Sequence, residues 1–265
     1  MSSLRTSRQI SIPVILGLFL AAHTQLCAKA ATPQAIDQKL DRIFLFAAVD
    51  ETGEPVIVKP TNKAASPSIY ASVSTTGLNG LKSAIRSSTN PSAEDQLRLT
   101  PVTLAFFLQT WSRYRSQMPT LAARIISDGI ERESALRLLQ QQGFSAKEAL
   151  EEMGSDVPVF CPVPAIYAED KNTTTHNRTS GKKFIPCSFS LTTLMSIVDA
   201  KPNLSPTTVV PIALWKLINA LKDDKDSAIT TIEILAHPTL LTGMEAATEK
   251  KNFILGSPAA RSQRP

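Results

Sequence analysis

The chain has 265 residues, of which 43% are hydrophobic and 19% charged, with a formal net charge of +5. This composition is typical of a folded globular protein and excludes a disordered chain. Arg5, Arg8 and Lys29 lie in an N-terminal segment predicted to be removed, and no acidic residue does. The mature chain therefore carries only +2, which gives no case for nucleic-acid binding.

Residues 1–30 have the features of a secretory signal peptide. Arg5 and Arg8 precede an apolar run, Ile10–Ala22, and Ala28-Lys29-Ala30 gives the small-x-small cleavage pattern before Ala31. The run is too short for a membrane-spanning helix. No later segment is long and apolar enough to span a bilayer, so we expect export of a mature chain, 31–265, without a membrane span.

The following residues predict a series of short strands and helices. Ile43–Val49 is a nearly continuous apolar run, typical of a buried central strand, and Pro55–Val58 is expected to return as its hairpin partner. Ser74 is a candidate N-cap for a helix through Ile85. Further elements are predicted as a strand at 97–102, a helix at 103–114, a strand at 121–126, a helix at 130–142 and a helix that begins at the capping box Ser145–Glu148.

The second half of the chain repeats the first. Ser72-Val73-Ser74 aligns with Ser188-Phe189-Ser190 at an offset of 116 residues, and Pro101–Leu104 aligns with Pro211–Leu214 at an offset of 110. A loop between the two blocks absorbs the difference easily. We therefore predict an α+β fold of two pseudo-symmetric lobes, each a small, largely antiparallel sheet with helices. The two repeats span about 40–155 and 156–256 within one domain, and 257–265 is a frayed tail.

Two cysteines, Cys161 and Cys187, remain after removal of the signal peptide. They lie on neighbouring predicted strands, and an oxidising compartment permits a disulfide between them. Spacing alone does not set the Cα separation that a disulfide needs. The sequence leaves open a disulfide or two buried thiols that act as small apolar side chains.

The chain offers few groups for catalysis. Of the histidines, only His176 and His237 remain in the mature chain, and both are predicted to be exposed loop residues. The sequence contains no HExxH, CxxC or GxSxG motif and no glycine-rich phosphate loop. A hydrolase would need a convergent acid, base and nucleophile, which the sequence does not supply. We therefore predict a protein that is not an enzyme, with no metal and no cofactor.

Several segments, in the same order and spacing, resemble the twenty-two-kilodalton Tic component family of the translocon at the inner chloroplast envelope, especially its cyanobacterial members. The segments are Leu99–Leu104, Val157–Phe160, Lys183–Pro186 with the helix 191–198, and Phe253–Pro258. The resemblance covers nearly all of residues 36–258. The chain departs from the family at Cys187, at Ser188 and in a polar extension, 170–182.

The resemblance implies a flat, two-lobed α+β body with pseudo-two-fold symmetry and apolar pockets beside its central helices. It also implies a non-enzymatic protein of the space between two membranes: the periplasm in a cyanobacterium, the intermembrane space of the plastid envelope in a eukaryote. Its expected role is a chaperone-like escort in protein import or outer-membrane biogenesis. The partners are then unfolded precursors or outer-membrane proteins, and the outer-membrane barrel assembly machinery or the envelope translocon.

The repeat alignment separates core residues from candidate binding residues. Four pairs are apolar in both copies and share one helical face, so we predict them to be core: Leu104/Leu214, Phe107/Leu217, Leu108/Ile218 and Trp111/Leu221. Phe106 and Trp215 are not matched in this way, since Lys216 and Ala105 occupy the equivalent positions. Our hypothesis is that Phe106 and Trp215 line client pockets; packing between the lobes is the alternative.

A second class of function also fits the sequence. An exported carrier of a small apolar ligand, such as a lipid or a pigment, needs a closed cavity, whereas a chaperone needs open grooves.

Overall fold

The computed structural model describes residues 38–62, 65–86, 98–169, 183–200, 207–223, 231–240 and 242. Four features named from the sequence lie outside these residues: the signal peptide, the loop that contains His176, the segment Phe253–Pro258 and the tail at 257–265. The described residues form two compact units, which we call the first unit (38–129 with 236–242) and the second unit (130–235). These units do not coincide with the predicted repeats, 40–155 and 156–256. The chain enters the second unit at Ile130 and leaves it at Ala236.

The first unit contains a four-stranded sheet and two helices. Its elements in chain order are β1 (Phe44–Val49), β2 (Ser68–Ser72), α1 (Gly77–Arg86), β3 (Arg98–Thr103), α2 (Leu104–Gln117) and β4 (Ala122–Ile126). The strand order is β3-β1-β2-β4. The pairs β1–β3 and β1–β2 are antiparallel, whereas β2–β4 is parallel. The apolar run of β1 is therefore central, and Leu45–Val49 are all buried.

The second unit contains the corresponding sheet and four helices. Its elements are α3 (Gly129–Gln141, which begins at the boundary), α4 (Ala146–Met153), β5 (Pro158–Val163), β6 (Ala168–Glu169), β7 (Lys183–Ser188), α5 (Leu191–Asp199), β8 (Thr208–Ala213), α6 (Leu214–Asp223) and β9 (Ile232–Leu235). Antiparallel pairs join β7 to β5 and β5 to β8, and β9 is parallel to β7. The short strand β6 also pairs with β7.

The registers of the two sheets are equivalent. Phe46 lies opposite Pro101 in the first unit, and Phe160 lies opposite Pro211 in the second. The helix that follows each proline strand starts with the same bond: Leu104 N–H donates to Ile43 O at 2.7 Å, and Leu214 repeats this with Val157 at 2.8 Å. The prediction of an α+β fold with two largely antiparallel sheets is confirmed. The chain returns antiparallel to β1 as predicted, with the Val56 N–H donating to Ala48 O at 3.0 Å. The pairing at 55–58 is limited to single bridges at Pro55 and Val58 and does not form a strand.

A pair of buried serines connects β2 to α1. The Ser72 hydroxyl oxygen accepts the N–H of Ser74 at 3.4 Å, and the Ser74 hydroxyl oxygen accepts the N–H of Gly77 at 3.0 Å. The corresponding bonds of the second unit, at 3.1 and 3.4 Å, involve Ser188, Ser190 and Thr193. All four serines are buried. The predicted capping role of Ser74 follows from its bond to Gly77, and Ser190 has the same role at the corresponding helix. Each serine satisfies a backbone donor at a helix start.

Each serine turn also receives a side chain from a distant segment. Thr75 N–H donates to Thr239 Oγ1 at 3.2 Å, and Leu191 N–H donates to Glu131 Oε2 at 3.0 Å. Thr239 follows β9, the last strand of the second unit, yet it belongs to the first unit. Glu131 follows β4, the last strand of the first unit, yet it belongs to the second. Each unit is thus completed by the segment that follows the other unit's last strand.

Cys161 and Cys187 are joined by a disulfide with a Cα–Cα distance of 4.5 Å. They lie on β5 and β7, one pair beyond Phe160–Ser188 in the antiparallel register. Both cysteines are fully buried. The short Cα separation is typical of a pair that exchanges no ladder hydrogen bonds, where opposite side chains come closest. The bridge therefore links two neighbouring strands of the second unit's core.

Replacing Gly77 with Ala should destabilise the first unit. A Cβ atom at Gly77 would lie 2.2 Å from Ser72 Oγ, inside the hydrogen-bonded turn. We expect a loss of roughly 1 to 3 kcal/mol in the free energy of unfolding, as for other overpacked sites. Urea denaturation followed by circular dichroism measures it. Gly129→Ala is the matched control, because its Cβ would meet nothing within 4 Å; equal losses in both variants would contradict the role of the turn.

Removing the disulfide should destabilise the second unit. The two cysteines are 26 residues apart, and closing a loop of that length in the unfolded chain corresponds to about 3 kcal/mol. A Cys161→Ala/Cys187→Ala double variant should therefore unfold at a lower urea concentration than the oxidised parent. A thiol assay on denatured, non-reduced parent protein should find neither thiol reactive; two reactive thiols would contradict the bridge.

Candidate functional site

Phe106 and Trp215 occupy the first turns of equivalent helices in different units. The Phe106 N–H donates to Oγ1 of Thr103, the N-cap of α2, at 3.2 Å. The Trp215 N–H donates to Oδ2 of Asp156 at 3.0 Å. Both side chains are half-buried. Each aromatic residue is therefore partly accessible, and a binding role for the two residues stays a prediction.

The predicted core stripe is complete in α6 but not in α2. In α6, Leu214, Leu217, Ile218 and Leu221 are all buried. In α2, Leu104 and Phe107 are buried, whereas Leu108 and Trp111 are only partly so. The prediction of core positions is wrong for those two. The Trp111 indole Nε1–H donates to the Leu121 carbonyl at 2.9 Å, as expected for a tryptophan whose polar group is removed from water.

Asp156 replaces the missing N-cap of α6. Ala213 precedes this helix and has no side chain that accepts a hydrogen bond, so the orphan N–H of Trp215 is satisfied by Asp156. The other carboxylate oxygen accepts the N–H of Val157 at 2.8 Å. Burial raises the pKa of Asp156, while the two N–H bonds and the positive charges of Lys216 and Arg132 oppose that rise. A half-buried carboxylate thus fixes the backbone at Trp215.

Basic side chains surround the same helix start. Arg132 donates to the backbone carbonyls of Asp156 at 3.3 Å and of Gly154. Lys216 forms an ion pair with Glu152. These contacts hold the segment that precedes β5 against the first turn of α6. Nothing in the sequence pointed directly to Asp156, although Ala213, which aligns with Thr103, was a signal that another residue had to cap the helix.

Three large apolar side chains are exposed on the helices of the second unit. Ile130 on α3 is 70% exposed, Leu150 on α4 is 51% exposed and Met195 on α5 is 38% exposed. Other apolar residues in this part of the chain are partly buried and pack on the unit's core: Leu136, Leu138, Phe144, Leu191 and Val198. No pattern in the sequence singled out the three exposed residues. They give the second unit apolar contact points on three of its four helices.

A pocket of about 280 Å³ lies in the first unit and is lined by Glu54, Arg113, Tyr114 and Gln117. Glu54 Oε2 accepts the Tyr114 hydroxyl at 2.5 Å and lies 3.2 Å from Arg113 Nη2. Burial, followed by the bond and the charge of Glu54, raises the pKa of Tyr114. The polar lining does not suit a small apolar ligand, which needs a mostly apolar cavity.

His237 is buried, with 6% of its surface exposed. Its Nδ1 lies 2.8 Å from Thr239 Oγ1 and accepts the Thr239 N–H at 3.3 Å. His237 lies in a loop as predicted, but the prediction that it is exposed is wrong, because residues 236–240 belong to the first unit. Across the described ranges there is no group of three or more His, Cys, Asp or Glu residues that could hold a metal ion. Within the same ranges, no helix has the length and apolar character needed to cross a membrane.

The fold matches two solved structures over most of the chain. Anabaena Tic22, described as a protein-transport protein, superposes with a TM-score of 0.63 at 17% sequence identity, covering 82% of this chain and 97% of that protein. Tic22 from Plasmodium falciparum superposes with a TM-score of 0.58 at 14% identity, covering 81% and 98%. No protein-family model and no curated protein sequence matches the chain. The chain therefore has the Tic22 fold, and the resemblance found in the sequence is confirmed at that level.

Replacing Asp156 with Asn should change the pH dependence of stability. A raised pKa in the folded protein means that ionisation of Asp156 costs more there than in the unfolded chain. Its contribution to stability is therefore fully present below the unfolded pKa and is lost as the pH rises through the folded value. The uncharged Asn side chain has one acceptor oxygen, so it can keep the bond to the Trp215 N–H or to the Val157 N–H but not both. That loss does not vary with pH. We expect the variant to gain stability relative to the parent as the pH rises from about 4 to 7.

Urea denaturation at several pH values measures this difference. Asp199→Asn, at an exposed position on α5, is the control and should show no comparable trend. A difference between Asp156→Asn and parent that stays constant with pH would contradict the assignment.

Proposed function

We propose that this protein acts in protein transport as an exported, non-enzymatic, chaperone-like escort of unfolded precursors. The observation that carries the proposal is the fold: 82% of the chain superposes on Anabaena Tic22, which is described as a protein-transport protein. The expected partners are unfolded precursors or outer-membrane proteins, together with an envelope translocon or the outer-membrane barrel assembly machinery.

The surface of the second unit supports an escort role. Unfolded precursors expose apolar side chains, and a chaperone must offer apolar contacts without a large patch that would cause self-association. Ile130, Leu150 and Met195 are exposed singly on three different helices. Dispersed contacts of this kind favour weak, reversible binding of many sequences over tight binding of one. Phe106 and Trp215, with their half-exposed rings, are the aromatic contacts of the proposed sites.

Two features support a location outside the cytosol. The N-terminal 30 residues have the pattern of an export signal, and the Cys161–Cys187 disulfide is of the kind that persists in oxidising compartments. We therefore propose the periplasm if the source is a cyanobacterium and the plastid intermembrane space if it is a eukaryote. Periplasmic extraction, with a signal-sequence deletion as its control, would test the first of these directly.

Replacing Phe106 or Trp215 with Ser should weaken client binding more than it weakens the fold. Losing an aromatic contact worth about 1 kcal/mol lowers affinity about fivefold. The measurement is suppression of aggregation, by light scattering, of a β-barrel outer-membrane protein diluted from urea. Melting temperatures of the variants report on stability in parallel.

Gln109→Ser on α2 and Asn219→Ser on α6 are the matched controls, because both positions are exposed on the same helices. They should behave as the parent in both assays. A large fall in melting temperature with unchanged client binding would assign Phe106 and Trp215 to packing and remove them from the site. A stoichiometric lipid or pigment in an organic extract of the purified protein would instead favour the carrier.

A further inference from the structure

The hydrogen bonds of β4 show which of its backbone groups face outward. The Ala122 N–H donates to Pro67 O at 2.9 Å, and the Ile126 carbonyl accepts the Val73 N–H at 3.2 Å. In a strand, successive residues direct their backbone groups to opposite sides. Residues 122, 124 and 126 therefore bond toward β2, while Ala123 and Ile125 direct their N–H and C=O groups away from the sheet.

This outer edge of β4 has no strand beside it among the described residues. In the strand order β3-β1-β2-β4, β4 is the last member. The Trp111 indole N–H donates to the Leu121 carbonyl, just before the strand. The outward N–H and C=O groups of Ala123 and Ile125 have no hydrogen-bond partner in the part of the chain that the structure describes. The Ile125 side chain is buried and anchors the strand. Two donors and two acceptors are thus held in place along one edge.

The opposite edge of each sheet is closed by a proline. The Leu104 N–H donates to the Ile43 carbonyl on the β1 side. Backbone groups alternate in direction along a strand, so residues an even number of positions from Leu104 bond toward β1. Pro101 is three positions away, and its nitrogen therefore faces outward. The same reasoning places the nitrogen of Pro211 on the outer side of β8. A proline cannot donate a hydrogen bond, so it interrupts any strand that would add there. The edge strands β3 and β8 each contain a proline whose nitrogen faces outward, whereas β4 contains no proline.

We propose that the outer edge of β4 binds an extended segment of unfolded polypeptide as a fifth strand of the first unit. The proposal rests on the proposed function for the identity of the occupant, an unfolded client. Outward donors and acceptors lie on alternate residues of the strand, so they recur about every 6.6 Å. A second extended backbone has the same repeat and can pair with them. Strand addition of this kind takes its affinity from main-chain bonds, so it accepts many sequences.

The side chains along the edge agree with an occupant of variable sequence. Ala123 is small and half-buried. Arg124 donates from Nε to Ser68 Oγ at 3.1 Å, across the β2–β4 pair. The guanidinium is thus held over the protein's own sheet, where it does not fill the space beside the edge. The backbone therefore contributes most of the groups that a neighbouring strand would meet.

The test uses the full mature protein and a fluorescent peptide of about six alternating Thr and Val residues, flanked by Lys. A second peptide has the same side chains with alternate amides N-methylated, which prevents bonding along one edge. Ala123→Pro removes the outward donor without removing a bond to β2, and Ala123→Ser is the control that keeps the N–H. We expect the parent and Ala123→Ser to bind the first peptide and not the second. Affinity should fall about fivefold or more in Ala123→Pro.

Hydrogen exchange gives a readout that does not depend on the folding of a variant. In the parent protein, the first peptide should slow exchange of the Ala123 and Ile125 amides. Equal binding of both peptides, unchanged exchange of these amides, or dimerisation of the protein through β4 in place of peptide binding would overturn the proposal. If the parent suppresses client aggregation in any of those cases, the proposed function stands without this edge. Peptide binding at β4 without such suppression would support the edge and contradict the escort role.

Discussion

A hydroxyl group buried at the end of a strand determines the geometry of both units. Ser72 and Ser188 each hold the backbone of the following turn, and the second serine then starts a helix that packs on the sheet. Burying four serines is favourable only because every hydroxyl has a hydrogen-bond partner. The close approach of Gly77 to Ser72 shows how little space the turn leaves. The turn positions the helix, and the helix covers the core.

Local patterns in the sequence predicted much of this arrangement. The sequence predicted the apolar run of β1, the Ser145–Glu148 capping box and the repeated serines. Each of these features depends on residues only a few positions apart. The contacts that were missed join distant residues. Asp156 caps a residue 59 positions away, and Thr239 closes a turn 164 positions away. The burial of His237 follows from the second of these associations, which no periodicity in the sequence encodes.

The candidate site divides in the same way. Comparing the repeats identified Phe106 and Trp215 as aromatic residues without a large apolar counterpart, and the structure places both in first turns and half-buried. The exposure of Ile130, Leu150 and Met195 was not predictable, because an amphipathic helix shows its apolar face but not which parts of that face neighbouring elements leave uncovered. The open edge of β4 required knowledge of strand order, which hydrophobic pattern alone does not fix.

The passage of the chain from one unit to the other and back has a consequence for the order of folding. The first unit contains residues from both ends of the described chain. Leu40 and Ile43 near the start and Leu240 near the end are all buried in it. A polypeptide that emerges from a membrane N-terminus first therefore cannot finish that unit until its last part has arrived. Contacts so distant in sequence slow folding and prolong exposure of apolar surface. The first unit would therefore stay incomplete until nearly the whole chain is available.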